Sequence, residues 1–235
     1  MNKQIELSPR LRAVADYVPA GARLADVGTD HAYLPAALIL EGKIPSAIAA
    51  DLREGPLNRA RQTAAEHSVT ENIVFRLCDG LTGIAPDEAD AIAIAGMGGE
   101  TIADILAAAP WTRTRGIPLI LQPMSSMSDL RGWLQKNGYR ICEEKLVQEG
   151  DTLYTVLSVC DGDMDELTAA ELCVGKNSHD PLRGEWLDRW IAKTRRALDG
   201  LSKARQEGSE ARRTQLEETL DGLERMKEEW LAWQQ

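Results

Sequence analysis

The chain has 235 residues, 43% of them apolar and 27% charged, an ordinary globular composition that excludes wholesale disorder. No apolar run approaches the roughly 18 residues of a membrane span, and MNKQIELSPRLRAVADY lacks the apolar core of a signal peptide. The net charge of −10 speaks at face value against nucleic acid, but residues 183–213 carry 9 basic against 5 acidic groups and residues 214–235 carry 2 against 6, so the tail is two oppositely charged arms. Cys78, Cys142, Cys160 and Cys173 lie far apart with no CxxC pair. Neither a zinc site nor a disulfide framework is expected, and a soluble cytoplasmic protein without a metal is.

In chain order, RLADVG (23–28) reads as a buried strand and AYLPAALILEG (32–42) as a helix stopped by Gly42. SAIAADL (46–52) is the next strand, and 53–67 a helix with Pro56 in its first turn. NIVFRLCDG (72–80) and DAIAIAG (90–96) are further strands; helix 100–109, strand 118–123 and helix 128–137 follow. Residues 139–159 change character, with two extended runs around Glu149-Gly150-Asp151 that predict a hairpin. The alternation predicts a doubly wound, mostly parallel α/β sheet covered on both faces and closed by an antiparallel hairpin. Residues 1–160 form this unit and 161–235 a second, helical one. In the tail, Leu187, Ile191, Thr194, Leu198 and Leu201 step by 4 and 3, and Leu216, Leu220, Leu223 and Trp230 resume the stripe after Gly208-Ser209. Two helices of about twenty residues folding back as an antiparallel hairpin is the expectation; one long helix with a tolerated glycine is the alternative.

The strand ends carry the chemistry. Asp26-Val27-Gly28-Thr29-Asp30-His31 follows the first strand, where such folds bind a nucleotide-like cofactor. The second and third glycines of a dinucleotide fingerprint are missing, and Asp30 at the start of the next helix would repel a pyrophosphate. A cationic ligand without phosphate is favoured instead, and S-adenosylmethionine, with its sulfonium and ammonium, fits. Asp51-Leu52 ends the second strand 23 residues beyond Gly28, near the spacing of a ribose-binding carboxylate, a bond typically worth about 1.5–3 kcal/mol. Cys78-Asp79-Gly80 closes the third strand, where a carboxylate would accept from an adenine amino group. Each Asp alone also reads as a helix cap or a solvated strand end; three on consecutive strands point to a site. Gly96-Met97-Gly98-Gly99-Glu100 spends three glycines in four positions, which suggests a site lip that a flat ligand approaches. Gln122-Pro123-Met124 is its neighbouring wall.

These segments together resemble the class I S-adenosylmethionine-dependent methyltransferases, and most closely the bacterial tRNA (adenine-N1)-methyltransferases of the TrmK family, which act at position 22. LADVGTDHAYLP (24–35), IAADL (48–52), IAGMGGETI (94–102), LQPMSSMSDLRGWL (121–134) and EKLVQEGDTLYTV (144–156) carry the resemblance, with His179-Asp180-Pro181-Leu182 and the tail. It implies a Rossmann-like methyltransferase domain followed by a coiled-coil-like helical domain. It also implies that Asp26, Gly28 and Asp30 line the methionine end of the cofactor, Asp51 its ribose and Asp79 its adenine. Gly96, Met97 and Gly98 would border the meeting place of base and methyl. GMGG stands where exocyclic-amine methyltransferases carry an Asn/Asp-Pro-Pro-aromatic motif, which counts against an N6 acceptor.

Adenine N1 owns an in-plane lone pair, so methylation needs no general base; it needs N1 held in line with the methyl, roughly 3–3.5 Å away, in an exposed or flipped-out base. Positive charge grows on the adenine, and Asp30 is the carboxylate expected to stabilise it. His31 is expected to hold the loop. Tyr33 reads either as a base-stacking or as a core aromatic, and Gly99, Glu100, Gln122 and Pro123 as further pocket residues. Arg189, Lys193 and Arg196 lead the candidates for tRNA phosphates, with Arg183, Arg195, Lys203, Arg205, Arg212 and Arg213 behind them; a solvated face paired with the acidic arm is the alternative. The paucity of aromatics, 5%, argues against an extended stacking platform. Two rivals stand beside this reading: a methyltransferase with another acceptor, and a non-catalytic binding module. The oligomeric state stays open, a monomer slightly favoured.

Overall fold

A computed structural model describes residues 5–176, 179–203 and 209–235. The elements are α1 (Pro9–Tyr17), β1 (Leu24–Val27), α2 (Tyr33–Leu40), β2 (Ala47–Asp51), α3 (Glu54–Glu66), β3 (Ile73–Leu77), β4 (Ala91–Gly98), α4 (Gly99–Ala107), α5 (Trp111–Thr114), β5 (Leu119–Ser125), α6 (Met127–Lys136), β6 (Tyr139–Glu149), β7 (Thr152–Asp161), α7 (Ala169–Val174), α8 (Arg183–Lys203) and α9 (Ser209–Trp233). One seven-stranded sheet has the order β3-β2-β1-β4-β5-β7-β6; the first five strands are parallel, and the β6–β7 hairpin closes the edge antiparallel to β5. The doubly wound architecture is as expected, with its topological switch point between β1 and β4.

Alternation along the strands sorts the core into two layers. Leu24, Ala47, Ala49, Ala91, Ala93 and Ile120 face α1, α2 and α3, whereas Ala25, Val27, Ile48, Ala50, Ile92, Ile94 and Leu121 face α4 and α6. All residues of β1 and β2 are buried, which is why these strands read as apolar runs with an aspartate at or next to their carboxyl ends. The short helices α1, α5 and α7 were not anticipated. The first had a readable start, Ser8-Pro9: Ser8 Oγ accepts from the Leu11 amide and Pro9 opens the helix. Thr168 and Glu171 form a capping box on α7.

Three expectations are corrected. The strand expected to end at Gly96 continues through Gly98 across a bulge, pairing Met97 with Pro123 and Gly98 with Ser125, and the strand expected to end at Pro123 runs on to Ser125. Cys142 and Cys160, expected to be unpaired, form a disulfide with Cα atoms 6.5 Å apart. They lie nearly equidistant from the Gly150-Asp151 turn, and the hairpin, with a bulge between Ile141 and Glu143, brings them face to face. Cys78 and Cys173 are free thiols. Third, Arg183 is no surface cation: it is buried, donating to the carbonyls of Val174 and Gly175, and burial pushes its guanidinium down to about 10.

In the tail, α8 and α9 pack antiparallel: Arg195 pairs with Glu224 at 2.6 Å and Lys227 with Asp188 at 2.8 Å, so both arms exchange charges along their length. The turn expected at Gly208 lies outside the described residues. Leu187, Ile191 and Leu223 join Ala170 and Val174 of α7 in a third core cluster. Arg131 of α6, wholly buried, binds Glu144 at 2.9 Å and the carbonyls of Leu172 and Cys173, tying α7 to the sheet. Asp180 accepts from the amides of Leu146 and Leu182, both at 2.8 Å, anchoring the segment before α8 to edge strand β6.

Candidate active site

Parallel strands deliver their carboxyl ends to one edge of the sheet, and the three candidate aspartates arrive there on neighbouring strands. Asp26 ends in the buried part of β1, 6% exposed, and its Oδ2 accepts from Thr29 Oγ1 at 2.5 Å. Burial pushes its carboxyl up to about 6; the Thr29 hydroxyl opposes this, and the charge of Asp51 adds to it. Asp51, also buried, closes β2 and accepts from the Arg53 amide at 2.8 Å. Leu52 beside it is 64% exposed, an apolar face open at the strand end. Asp79 follows β3, with Cys78 half-buried and Gly80 at φ +55°.

The loop after β1 is backbone of an unusual kind. Gly28 takes φ +76°, and a Cβ there would collide with the Met97 methyl, so Met97 of β4 lies directly over the glycine. Asp30 and Ala32 also adopt left-handed φ, +45° and +54°, a conformation non-glycine residues rarely hold and one typical of functional loops. The Asp30 carboxylate faces solvent and is engaged by the Arg59 guanidinium of α3, with His31 Nε2 3.7 Å away. His31 stacks flat on Tyr33, centroids 5.2 Å apart. Tyr33 is 44% exposed, so it is not a core aromatic.

At the lip, the glycines have separate causes. Gly96 has φ +82°, and a Cβ there would meet Arg10 Nη1 in ordinary contact. Gly99 is required by packing, since a Cβ would strike the Ser126 carbonyl. Glu100 is exposed and accepts from Ser126 Oγ at 3.4 Å. Gln122 is wholly buried: its Oε1 takes Arg10 Nη1 at 2.6 Å and the Gly96 amide at 3.1 Å, while its Nε2 donates to the Pro123 carbonyl. Gln122 therefore shapes the lip from beneath. Among the tail cations, Arg189 spans Glu185 and the Asp151 carbonyl, Lys193 lies 4.1 Å over the Trp190 ring, and Arg196 is exposed. Arg213 pairs with Glu217 and Arg212 is exposed; Arg205 and the Lys203 side chain lie outside the described residues.

Residues 7–157 match the family model of a methyltransferase domain. The chain is 36% identical over 233 residues to the Bacillus subtilis tRNA (adenine(22)-N(1))-methyltransferase, spanning 96% of this chain and 97% of that one. The crystal structure of B. subtilis TrmK, an m1A22 tRNA methyltransferase, matches with TM-score 0.82 at 34% identity, covering 95% and 99% of the two chains. The chain belongs to the TrmK family. Streptococcus pneumoniae Sp1610, solved in complex with S-adenosyl-L-methionine, is similar at TM-score 0.77 and 34% identity over 94% and 100%.

The residues of this TrmK-family chain fit a sulfonium cofactor. A buried carboxylate with a raised pKa, Asp26, is a group that a cation returns to its ionised form, and Gly28 leaves the backbone bare beside it. The crescent from Asp26 through Asp51 to Asp79 offers acceptors only, suited to ammonium, hydroxyls and an amino group and unsuited to phosphate. Two contributors escaped sequence reading. Arg10 reaches the lip from α1, 112 positions before its partner Gln122, and Arg59 reaches Asp30 from α3. Only the Ser8-Pro9 helix start hinted at the first; nothing in the spacing marked the second.

Proposed function

We propose that this protein transfers the methyl group of S-adenosyl-L-methionine to N1 of adenine 22 in tRNA, in the cytoplasm. The observation that carries the reading is the similarity to the B. subtilis enzyme across both the α/β unit and the helical tail. When bound, S-adenosylmethionine supplies an electrophilic methyl. The chain's own residues do the rest. Asp26, Gly28, Thr29 and the loop through His31 receive the methionine portion; Asp51 and Leu52 take the ribose, and Cys78, Asp79 and Gly80 the adenine.

Met97, between Gly96 and Gly98, covers Gly28 and sets the depth at which a base meets the methyl. No residue must remove a proton before attack, so orientation carries the rate. Asp30 exchanges its solvent-exposed partner Arg59 for the cationic adenine and accepts from N6 as charge develops. His31 stacked on Tyr33 keeps this loop in its left-handed conformation. Residues 1–160 are the catalytic unit; 161–235 present Arg189, Lys193 and Arg196 to tRNA phosphates.

Incubating the protein with radiolabelled S-adenosylmethionine and unmodified tRNA transcripts, then digesting to nucleosides, tests the reading. N1-methyladenosine that vanishes when adenine 22 is replaced is expected. Label in another nucleoside, or none despite cofactor binding, would transfer the case to another acceptor or to a binding module.

A further inference from the structure

Beside the lip, a cavity of about 420 Å³ opens between the turn joining β5 to α6, the start of β7 and α8. Trp186, Trp190 and Lys193 of α8, Tyr154 and Thr155 of β7 and Met124 of β5 line it. Two polar atoms in these walls, Thr155 Oγ1 and Trp186 Nε1, are shut off from solvent and have no hydrogen-bond partner, and Thr155 is only 2% exposed. Folded proteins seldom leave such groups unsatisfied, and two lining one cavity mark a place for a ligand that satisfies both. The other walls say what kind. Trp186 and Trp190 meet edge to face at 5.9 Å, and the Lys193 ammonium stands over the Trp190 ring at 4.1 Å. Flat aromatic surface beside positive charge suits a nucleobase and its phosphate, and Asp129, which also lines the cavity, adds an acceptor for an exocyclic amine.

Its position is equally informative. Met97 pairs with Pro123 and Gly98 with Ser125, so the cavity adjoins the lip at the distance of one strand, about 4.8 Å. We propose that it is a subsite for a second nucleotide of the tRNA, next to the target adenosine. Its base takes the Trp190 face in place of the Lys193 ammonium, which moves onto the phosphate, and hydrogen-bonds to Thr155 Oγ1 and Trp186 Nε1. The proposal rests on the tRNA reading above and extends it to a nucleotide that is not methylated.

Thr155→Val removes one unpaired polar atom and keeps the shape; Trp186→Phe removes the other together with the pyrrole ring. Both are expected to raise the KM for tRNA about fivefold while kcat and cofactor affinity hold; Thr155→Val should leave Tm equal or higher, because a buried unsatisfied group is gone, and Trp186→Phe should lower it through lost packing. Trp190→Ala should raise KM about tenfold or more. In a transcript, an abasic nucleotide flanking position 22 should weaken wild type and add nothing to Trp190→Ala. Unchanged KM in Thr155→Val and Trp186→Phe, or multiplying effects at every flanking position, overturns the subsite. So does a free mononucleotide that occupies the cavity without competing with tRNA. If wild type transfers no methyl to tRNA, the function falls, and direct tRNA affinities of the same variants still decide the subsite.

Discussion

Asp26 holds a carboxyl that burial keeps protonated up to about pH 6, against an ordinary value of 3.8. Between those values the folded state binds the extra proton, so the free protein's stability is fullest below 3.8 and falls as pH rises through about 6. At pH 7 the ionised group costs about 2–3 kcal/mol. Asp26→Asn should therefore raise the Tm of the free protein at pH 7 and weaken cofactor binding, measurable by calorimetry. In wild type, cofactor affinity should drop as pH falls below about 6, with proton release on binding visible as a buffer-dependent heat. Asp30 offers the contrasting case, a carboxylate at the surface rather than in the core. Asp30→Asn should bind the cofactor near normally and lose about 10²-fold in methyl transfer; transfer at the wild-type rate with normal cofactor binding would remove Asp30 from the chemistry.

Two glycines on either side of the site, Gly99 after β4 and Gly28 after β1, serve different purposes, and substitution separates them. Gly99 sits against the Ser126 carbonyl, backbone against backbone, where nothing flexible can give way. Gly99→Ala should cost about 1–3 kcal/mol of stability, read from denaturant unfolding. Gly28 faces the end of the flexible Met97 side chain instead, so its requirement is the positive φ and the open backbone. Strand β4 outruns the end expected at Gly96 because Gly98 pairs with Ser125 across a bulge and Gln122 holds the Gly96 amide from below. Sequence patterning registers apolar side chains, and here the strand persists on backbone pairing.

At the scale of the molecule, the tail both packs on the α/β unit and exposes cations. Arg183 belongs to the packing and Arg196 to the surface. Arg196→Ala should leave Tm unchanged and lower the slope of log tRNA affinity against log salt by about one phosphate contact. Arg183→Ala should instead lower Tm, since two carbonyls lose their buried donor. An Arg196 variant with the wild-type salt slope would place the tRNA on another face.

Much of this protein was legible in its residues. Apolar runs of strand length alternating with helical periodicity define the doubly wound sheet, and aspartates at or beside the ends of three consecutive strands mark the candidate cofactor edge, because parallel strands must bring their ends together. Heptad-like steps define the two tail helices. What only tertiary structure decided are contacts between residues whose separation carries no period. These include Arg10 on Gln122, Arg59 on Asp30, Cys142 on Cys160, and the gathering of Trp186, Trp190 and Thr155 around one cavity. Local preference acts over a helical turn or a strand pair, whereas these meetings depend on the register in which whole elements pack.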